Sequence, residues 1–394
     1  MNDNVLKYEF CYGCGVCTAS CPKHIIYIRL NRNGFYEPYI DDLEACVKCG
    51  ICLEVCSFEH NDVALTSKTF KSWAAWSDDD RVRRKCSSGG IGFEIGKQLI
   101  EQGYKAVGCH YNAEQQRAEH FIATTVEEFV QSIGSKYIQS YTEDAFKQID
   151  RNKKYLLVGT PCQIDSFRRY IQRFHCEENF ILMDFFCHSV PSKLMWDRYV
   201  SWAEQKVGKL TYVSWRNKET GWHDSWAMAI DGEMHGEPMN WHDSYNKLMS
   251  EKKSFINSRL SQGDIFYKLF LGDFCTNPAC VQKCKFKYNH SAADIRIGDL
   301  WGPTYKDDQD GVSALIAFTE KGEDVVEMLK DVTLIEHPFE VVAEGQMKQN
   351  AKSKEMSPLV LYLLRHGYSL TSYSFKAVVF IQRIISKIKR VAKR

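Results

Sequence analysis

Sixteen cysteines are spread unevenly over the 394 residues, and eight of them fall between Cys11 and Cys56. Cys11, Cys14, Cys17 and Cys21 recur as Cys46, Cys49, Cys52 and Cys56, each displaced by 35 positions. Both runs read C-x2-C-x2-C-x3-C; the first ends Cys21-Pro22 and the second Cys56-Ser57. Three thiolates two residues apart on a tight loop can wrap three irons of a cubane cluster, and the fourth iron takes its ligand from the other repeat. The spacing therefore assigns Cys11, Cys14, Cys17 and Cys56 to one [4Fe–4S] cluster and Cys46, Cys49, Cys52 and Cys21 to a second. Structural zinc is the poorer match, because it prefers two well-separated ligand pairs.

Three more stretches carry reactive side chains. Cys275, Cys280 and Cys284 form a looser run that asks for a fourth ligand from elsewhere. Cys162, Cys187, Cys86, Cys109 and Cys176 are the candidates; Cys109 and Cys176 read most simply as buried thiols. His188, beside Cys187, is a candidate proton donor or a structural histidine. Ser87, Ser88, Gly89 and Gly90 precede an amphipathic pattern with Ile91, Ile95, Leu99 and Ile100 on one side. A helix starting there would offer free N–H groups and the positive end of its dipole to a phosphate, though a plain N-cap reads equally well.

The elements that must position these groups follow from hydropathy. HIIYIRL, the turn NRNG and FYEPYI predict a β-hairpin between the cysteine runs. KAVGCHY, HFIATT, KYLLVG and FILMDFF read as strands; the last two are continuous apolar runs, as in buried parallel sheets. Each of those two leads directly into a cysteine-bearing loop, at Cys162 and at Cys187, where open α/β sheets gather ligands. The expected fold class is α+β or α/β, with a ferredoxin-type head over residues 1–62. A mixed α/β body follows in two halves, 63–205 and 206–335, with a helical tail over 336–394. In the tail, Val378, Ile381, Ile384, Ile385, Ile388 and Val391 form one apolar side, while Lys376, Arg383, Lys387, Lys389, Arg390, Lys393 and Arg394 meet no acid. Such a basic amphipathic helix suits peripheral contact with an anionic membrane face, or docking on the body or on a partner subunit.

The formal net charge of +1 argues against a nucleic-acid partner. No secretory signal and no apolar run long enough to span a bilayer are present. Abundant cysteine without export points to a cytoplasmic protein whose thiols serve metals or redox chemistry.

Taken together, the cysteine head, CSSGGIG, GSKYIQS, GTPCQIDSF, FCHSVPS, WRNKETGW and DIRIGDLWG resemble the beta subunit of coenzyme F420 hydrogenase/dehydrogenase, especially homologues from bacterial polysaccharide-biosynthesis clusters. That resemblance implies an oxidoreductase whose body holds FAD beside a third [4Fe–4S] cluster, exchanging electrons with a hydride-carrying cofactor or a redox partner protein. It implies Ser87, Ser88, Gly89 and Gly90 at the FAD phosphates, with Ser135, Lys136 and Tyr137 lining the flavin pocket. It further implies Cys162, Cys275, Cys280 and Cys284 as cluster ligands, with Cys187 as substitute, and Arg216 and Lys218 serving an anionic substrate or cofactor. Lys136, Lys218 and His188 are then the candidate catalytic groups. An electron-relay subunit without its own catalysis is the alternative.

Overall fold

The structure, a computed structural model, describes residues 4–65, 71–235 and 254–392; Lys393 and Arg394 lie outside the described residues. In the head, Ile26–Leu30 (β1) and Tyr36–Ile40 (β2) form the expected antiparallel hairpin, with Leu30 opposite Tyr36. Each cysteine run is a loop that turns into a short helix, Val16–Ser20 in the first repeat and Ile51–Glu54 in the second. Both helices start after a glycine in the left-handed region, Gly15 at φ 78° and Gly50 at φ 75°. A side chain there would be strained, so the internal repeat extends to backbone shape.

The body is built on one nine-stranded sheet. Its strands are Lys71–Ser77 (β3), Lys105–Asn112 (β4), Arg117–Ala123 (β5), Ser140–Tyr141 (β6), Tyr155–Gly159 (β7) and Phe180–Phe185 (β8). After Leu210–Ser214 (β9), Ala227–Gly232 (β10) and Ile256–Arg259 (β11), which form a separate three-stranded sheet, Ile295–Asp299 (β12), Ser313–Ala317 (β13) and Val332–Glu336 (β14) return to it. The order is β14-β3-β13-β12-β8-β7-β4-β5-β6. Strands β4, β7, β8 and β12 run parallel to one another at its centre, which is why β7 and β8 are apolar on both faces. The helix Pro161–Arg173 covers one face with Ile164, Phe167 and Ile171 against Leu157 and Leu182. On the other face, Ile91, Ile95 and Leu99 of the helix Ile91–Glu101 meet Leu156, Ile181 and Leu315.

The expected division at 205/206 does not separate two sheets. Strand β3 pairs with both β13 and β14, so the second half of the body completes the sheet begun by the first. What that half adds separately is β9–β11, whose core with the helix Lys193–Val207 is built on Trp196, Tyr199, Trp215 and Phe266. The tail is helical as expected, with Ser357–Arg365 and Tyr373–Val391 as its longer helices. Among the described residues, no helix is long and apolar enough to cross a membrane.

A buried ion pair joins the halves. Arg296 on β12 forks onto Asp184 on β8 with two N–O distances of 2.7 Å, and neither side chain is exposed. Ser291 donates a third bond to the same carboxylate. Asp184→Ala strands a guanidinium in the core and is expected to cost about 3–5 kcal/mol in urea unfolding. Ser291→Ala, which leaves the pair intact, should cost about 1 kcal/mol.

Candidate redox site

The loops at the carboxyl ends of β7 and β8 carry the site. After β7, Thr160 caps the helix Pro161–Arg173: its N–H donates to Gln163 Oε1 at 2.8 Å, fixing Cys162 in the first turn. After β8, the chain continues into Cys187 and His188. Asn277 caps the helix Pro278–Gln282, its Oδ1 accepting from Ala279 N–H at 2.8 Å, and this helix and the loop after it carry Cys280 and Cys284. These four thiols converge. Burial and then Cys187 and Cys284 push Cys280 up to about 12; Cys187, buried and beside Cys284, is pushed up to about 11. Cys162 feels burial first, then the charges of Cys14, Cys280 and Cys187.

Cys275, expected with Cys280 and Cys284, is turned away from them. It is packed in the aromatic core with its Sγ 3.5 Å from Met195 Sδ, and after burial the charge that raises it is that of Asp273. Cys187 is the thiol whose charge acts on Cys280 and which feels Cys284. The reason Cys275 turns away is a long-range contact: the bridge Pro191↔Thr276 and the bond from Ser192 N–H to Cys275 O draw this backbone toward the Lys193–Val207 helix. Nothing in the cysteine spacing betrays that.

In the head, burial and then Cys14 raise Cys11, Cys17 and Cys56, Cys52 acts on both Cys17 and Cys56, and Cys52 is itself raised by burial and then by Cys49, Cys21 and Cys46. All sixteen cysteines are free thiols, and Cys49 is exposed. Among the described residues, no group of three or more Cys, His, Asp or Glu is arranged to hold a single metal ion. Deprotonating thiols as enclosed as Cys17 and Cys52 needs a positive partner, and iron supplies one. The donor set is therefore suited to clusters.

A cavity of about 420 Å³ lies against these loops. Its wall takes in Cys14 of the head, Cys162 and Cys187 of the second set, and the Ser87–Ser88 and Gly90 loop. That loop is held closely. Ser88 Oγ donates to Val312 O at 2.7 Å, and a side chain at Gly89 would come within 2.4 Å of Ala75 O. Gly90, at φ 91°, starts the eleven-residue helix that follows. Ser87 Oγ accepts from Ser135 N–H at 2.8 Å, tying the two expected cofactor loops together. Tyr137, Trp226 and Phe270 give the cavity an aromatic wall, with Tyr137 5.1 Å from each of the others between ring centroids.

The expected catalytic cations are engaged with backbone. Lys218 Nζ donates to the carbonyls of Arg83, Ser88 and Asp310. Lys136 Nζ lies 2.8 Å from Ser132 O and 3.0 Å from Ile133 O, closing the turn before it. Desolvation pulls both amines down to about 8. Lys136 lines the cavity; Lys218 braces the Ser88 loop from behind. Arg216 is buried, with Asp299 at 2.9 Å, Tyr137 Oη at 3.1 Å and Ser87 O at 3.3 Å. Burial opposes its charge, and Asp299 and Tyr137 restore it. It too positions the loop. His188 lines the cavity and shares a 2.9 Å bond with Asp273.

Two side chains fit a missing ligand and were not foreseen. His120 Nε2 donates to Val158 O, burial keeps the ring neutral by pulling it down to about 4, and its Nδ1 has no partner. Ser189 Oγ is likewise buried without one. Both line the cavity. Orphaned buried polar atoms are rare in a finished structure. With a glycine loop at a helix start, an aromatic wall and Asp299, already paired, as the acidic lining residue, the cavity suits a flat, anionic cofactor such as FAD.

Comparison with known proteins gives the family. Residues 72–147 match the N-terminal model, and residues 152–340 the C-terminal model, of the coenzyme F420 hydrogenase/dehydrogenase beta subunit. This chain belongs to that family. Its head, residues 10–59, matches a 4Fe-4S dicluster domain. Among its relatives is a component of the F(420)H(2) dehydrogenase of Methanosarcina mazei, 24% identical over 85% of this chain and 86% of that protein. The coenzyme F420-dependent sulfite reductase of Methanocaldococcus jannaschii is 23% identical over 90% of this chain, which spans 51% of that protein. A solved chain of the F420-reducing [NiFe] hydrogenase complex from Methanosarcina barkeri is 16% identical with a TM-score of 0.45, covering 78% of this chain and 91% of that one.

Because the Lys218 amine satisfies three carbonyls behind the Ser88 loop, Lys218→Met should destabilise the protein by about 2–3 kcal/mol in chemical unfolding. An unchanged midpoint would remove Lys218 from the loop's support.

Proposed function

We propose that this iron–sulfur oxidoreductase-family chain is itself a flavoenzyme. FAD would occupy the cavity, a third [4Fe–4S] cluster would sit on Cys162, Cys187, Cys280 and Cys284, and electrons would pass between a hydride carrier of the F420 type and a redox partner protein. The observation that carries this reading is one shared wall: the cavity touches the Ser/Gly loop and also Cys14, Cys162 and Cys187. A flavin, once bound, exchanges two electrons with a hydride donor and single electrons with clusters.

The chain's own residues have separable tasks. The Ser87–Gly90 loop and the start of the following helix receive phosphate charge, held in shape by Lys218 and Arg216 from behind. Tyr137, Trp226 and Phe270 stack on a planar ring and exclude water. His188, held by Asp273, presents an imidazole at the cavity wall. From the cavity outward the thiols form a series: the Cys162 set, then the Cys14 set, whose charge reaches Cys162, then the set ending at exposed Cys49. A protein partner would meet the head at that end. Motif resemblance supports polysaccharide biosynthesis as the setting, and the genes flanking this one test it.

Anaerobically purified protein should contain about twelve irons, four per cluster, and one flavin per chain. Cys187→Ala should lower iron to about eight, whereas Cys275→Ala should leave it at about twelve. Iron without flavin absorbance would sink the flavoenzyme reading and leave an electron-relay subunit; zinc in place of iron and sulfide would overturn both.

A further inference from the structure

The tail helix Tyr373–Val391 has two apolar faces, and the body covers one of them. Phe375 and Val378 are buried in the body's aromatic core, with Val379 packed against it. One turn further, Gln382 accepts from Met356 N–H at 3.2 Å and donates to Glu355 at 2.6 Å, and Lys389 pairs with the same carboxylate. At about 100° per residue these positions share one side of the helix. On the opposite side lie Tyr373, Phe380, Ile381, Ile384, Ile388 and Val391. Their exposures run from 42% at Ile381 to 89% at Tyr373. The single apolar side read from sequence is therefore divided: Val378 faces the body, and Ile381, Ile384 and Ile388 face outward.

Docking on the body explains the first face and leaves the second unexplained. Between the two faces runs a flank of exposed Lys376, Arg383, Lys387 and Arg390. From residue 373 to the end the chain carries seven cations and no acid, so acids outnumber bases in the remainder. An outward stripe of Phe, Ile and Val beside a cationic flank is the pattern of a helix lying in the headgroup region of a bilayer. The charge separation supplies orientation: an anionic surface attracts the helix and repels the body. A second copy of the chain would set one such cationic helix against another.

We propose that the tail helix docks the protein peripherally on an anionic lipid surface. Phe380, Ile384 and Ile388 dip among the acyl chains, and Arg383, Lys387 and Arg390 meet lipid phosphates. The helix is about 28 Å long and anchored to the body on its inner side, so the body lies flat against the surface.

Co-flotation of the full-length protein with vesicles tests this. With phosphatidylglycerol in phosphatidylcholine vesicles at low salt, the protein should float with the lipid. With phosphatidylcholine alone, or at 1 M salt where the screening length falls to about 3 Å, it should stay behind. Arg383→Glu/Lys387→Glu/Arg390→Glu should lower partitioning at least about tenfold. Ile384→Ser/Ile388→Ser should lower it comparably while retaining iron content and far-ultraviolet dichroism, since these side chains touch no core. Failure of the wild type to float, equal binding to neutral vesicles, or unchanged binding of both variants would overturn the proposal. So would a stable dimer in light scattering that the isoleucine variant dissolves, which would give this face to a second copy.

Discussion

The carboxamide of Gln139 is the hinge pin of the molecule. It accepts from Tyr36 N–H at 2.9 Å and donates to Tyr12 O at 3.0 Å, so one body side chain grips both the hairpin and the first cysteine loop of the head. Around it, Thr142 donates to Cys14 O, Glu143 accepts from Ile28 N–H, and Ser166 Oγ accepts from Ser57 N–H. Most of these groups are buried, and a buried backbone donor or acceptor left unpaired is costly. The head is therefore seated in one register. That register sets Cys14 beside Cys162 and brings Tyr12, Gly13 and Cys14 to the cavity wall. An electron path between the head and the cavity would run through this seating.

The seating also accounts for how the loops are used. The buried cations around the site, Lys218, Lys136 and Arg216, turn their charges onto backbone and neighbouring side chains and brace the loops. A loop rich in serine and glycine is free to take many shapes, and its shape here is imposed by what lies behind it. Charge placed behind a loop still biases the cavity toward anions while leaving its surface to N–H groups and aromatic rings.

Much of this was legible in the residues, and what was not has physical reasons. The two cysteine repeats announced the 4Fe-4S dicluster head, because their members are local in sequence and the pattern repeats residue for residue. The buried strands β7 and β8 and their loops were legible from hydropathy alone. The Ser/Gly loop, Ser135 and Tyr137 do line one cavity. The third cysteine set departs from expectation at Cys275, since side-chain direction there depends on a strand-like bridge to Pro191 far away in sequence. His120, Trp226 and Phe270 carried no signal: a lone histidine in a strand and single aromatics look like core. That the body's two halves share one sheet carried no signal, because β12–β14 pair with strands of the first half that lie far away in sequence.

The shared sheet has a consequence for the order in which the protein is made. The head's cysteines span Cys11 to Cys56 and precede the whole body in the chain, so both of its cysteine sets exist before the sheet does. The second half of the sheet comes last. Strand β3 waits for β13 and β14, and Cys162 and Cys187 wait for Cys280 and Cys284, about a hundred residues later. During that interval β3 and β8 present unpaired edges and open thiols. Assembly is thus staged, with the head formed early and the body's sheet closing only after β12–β14 have been made.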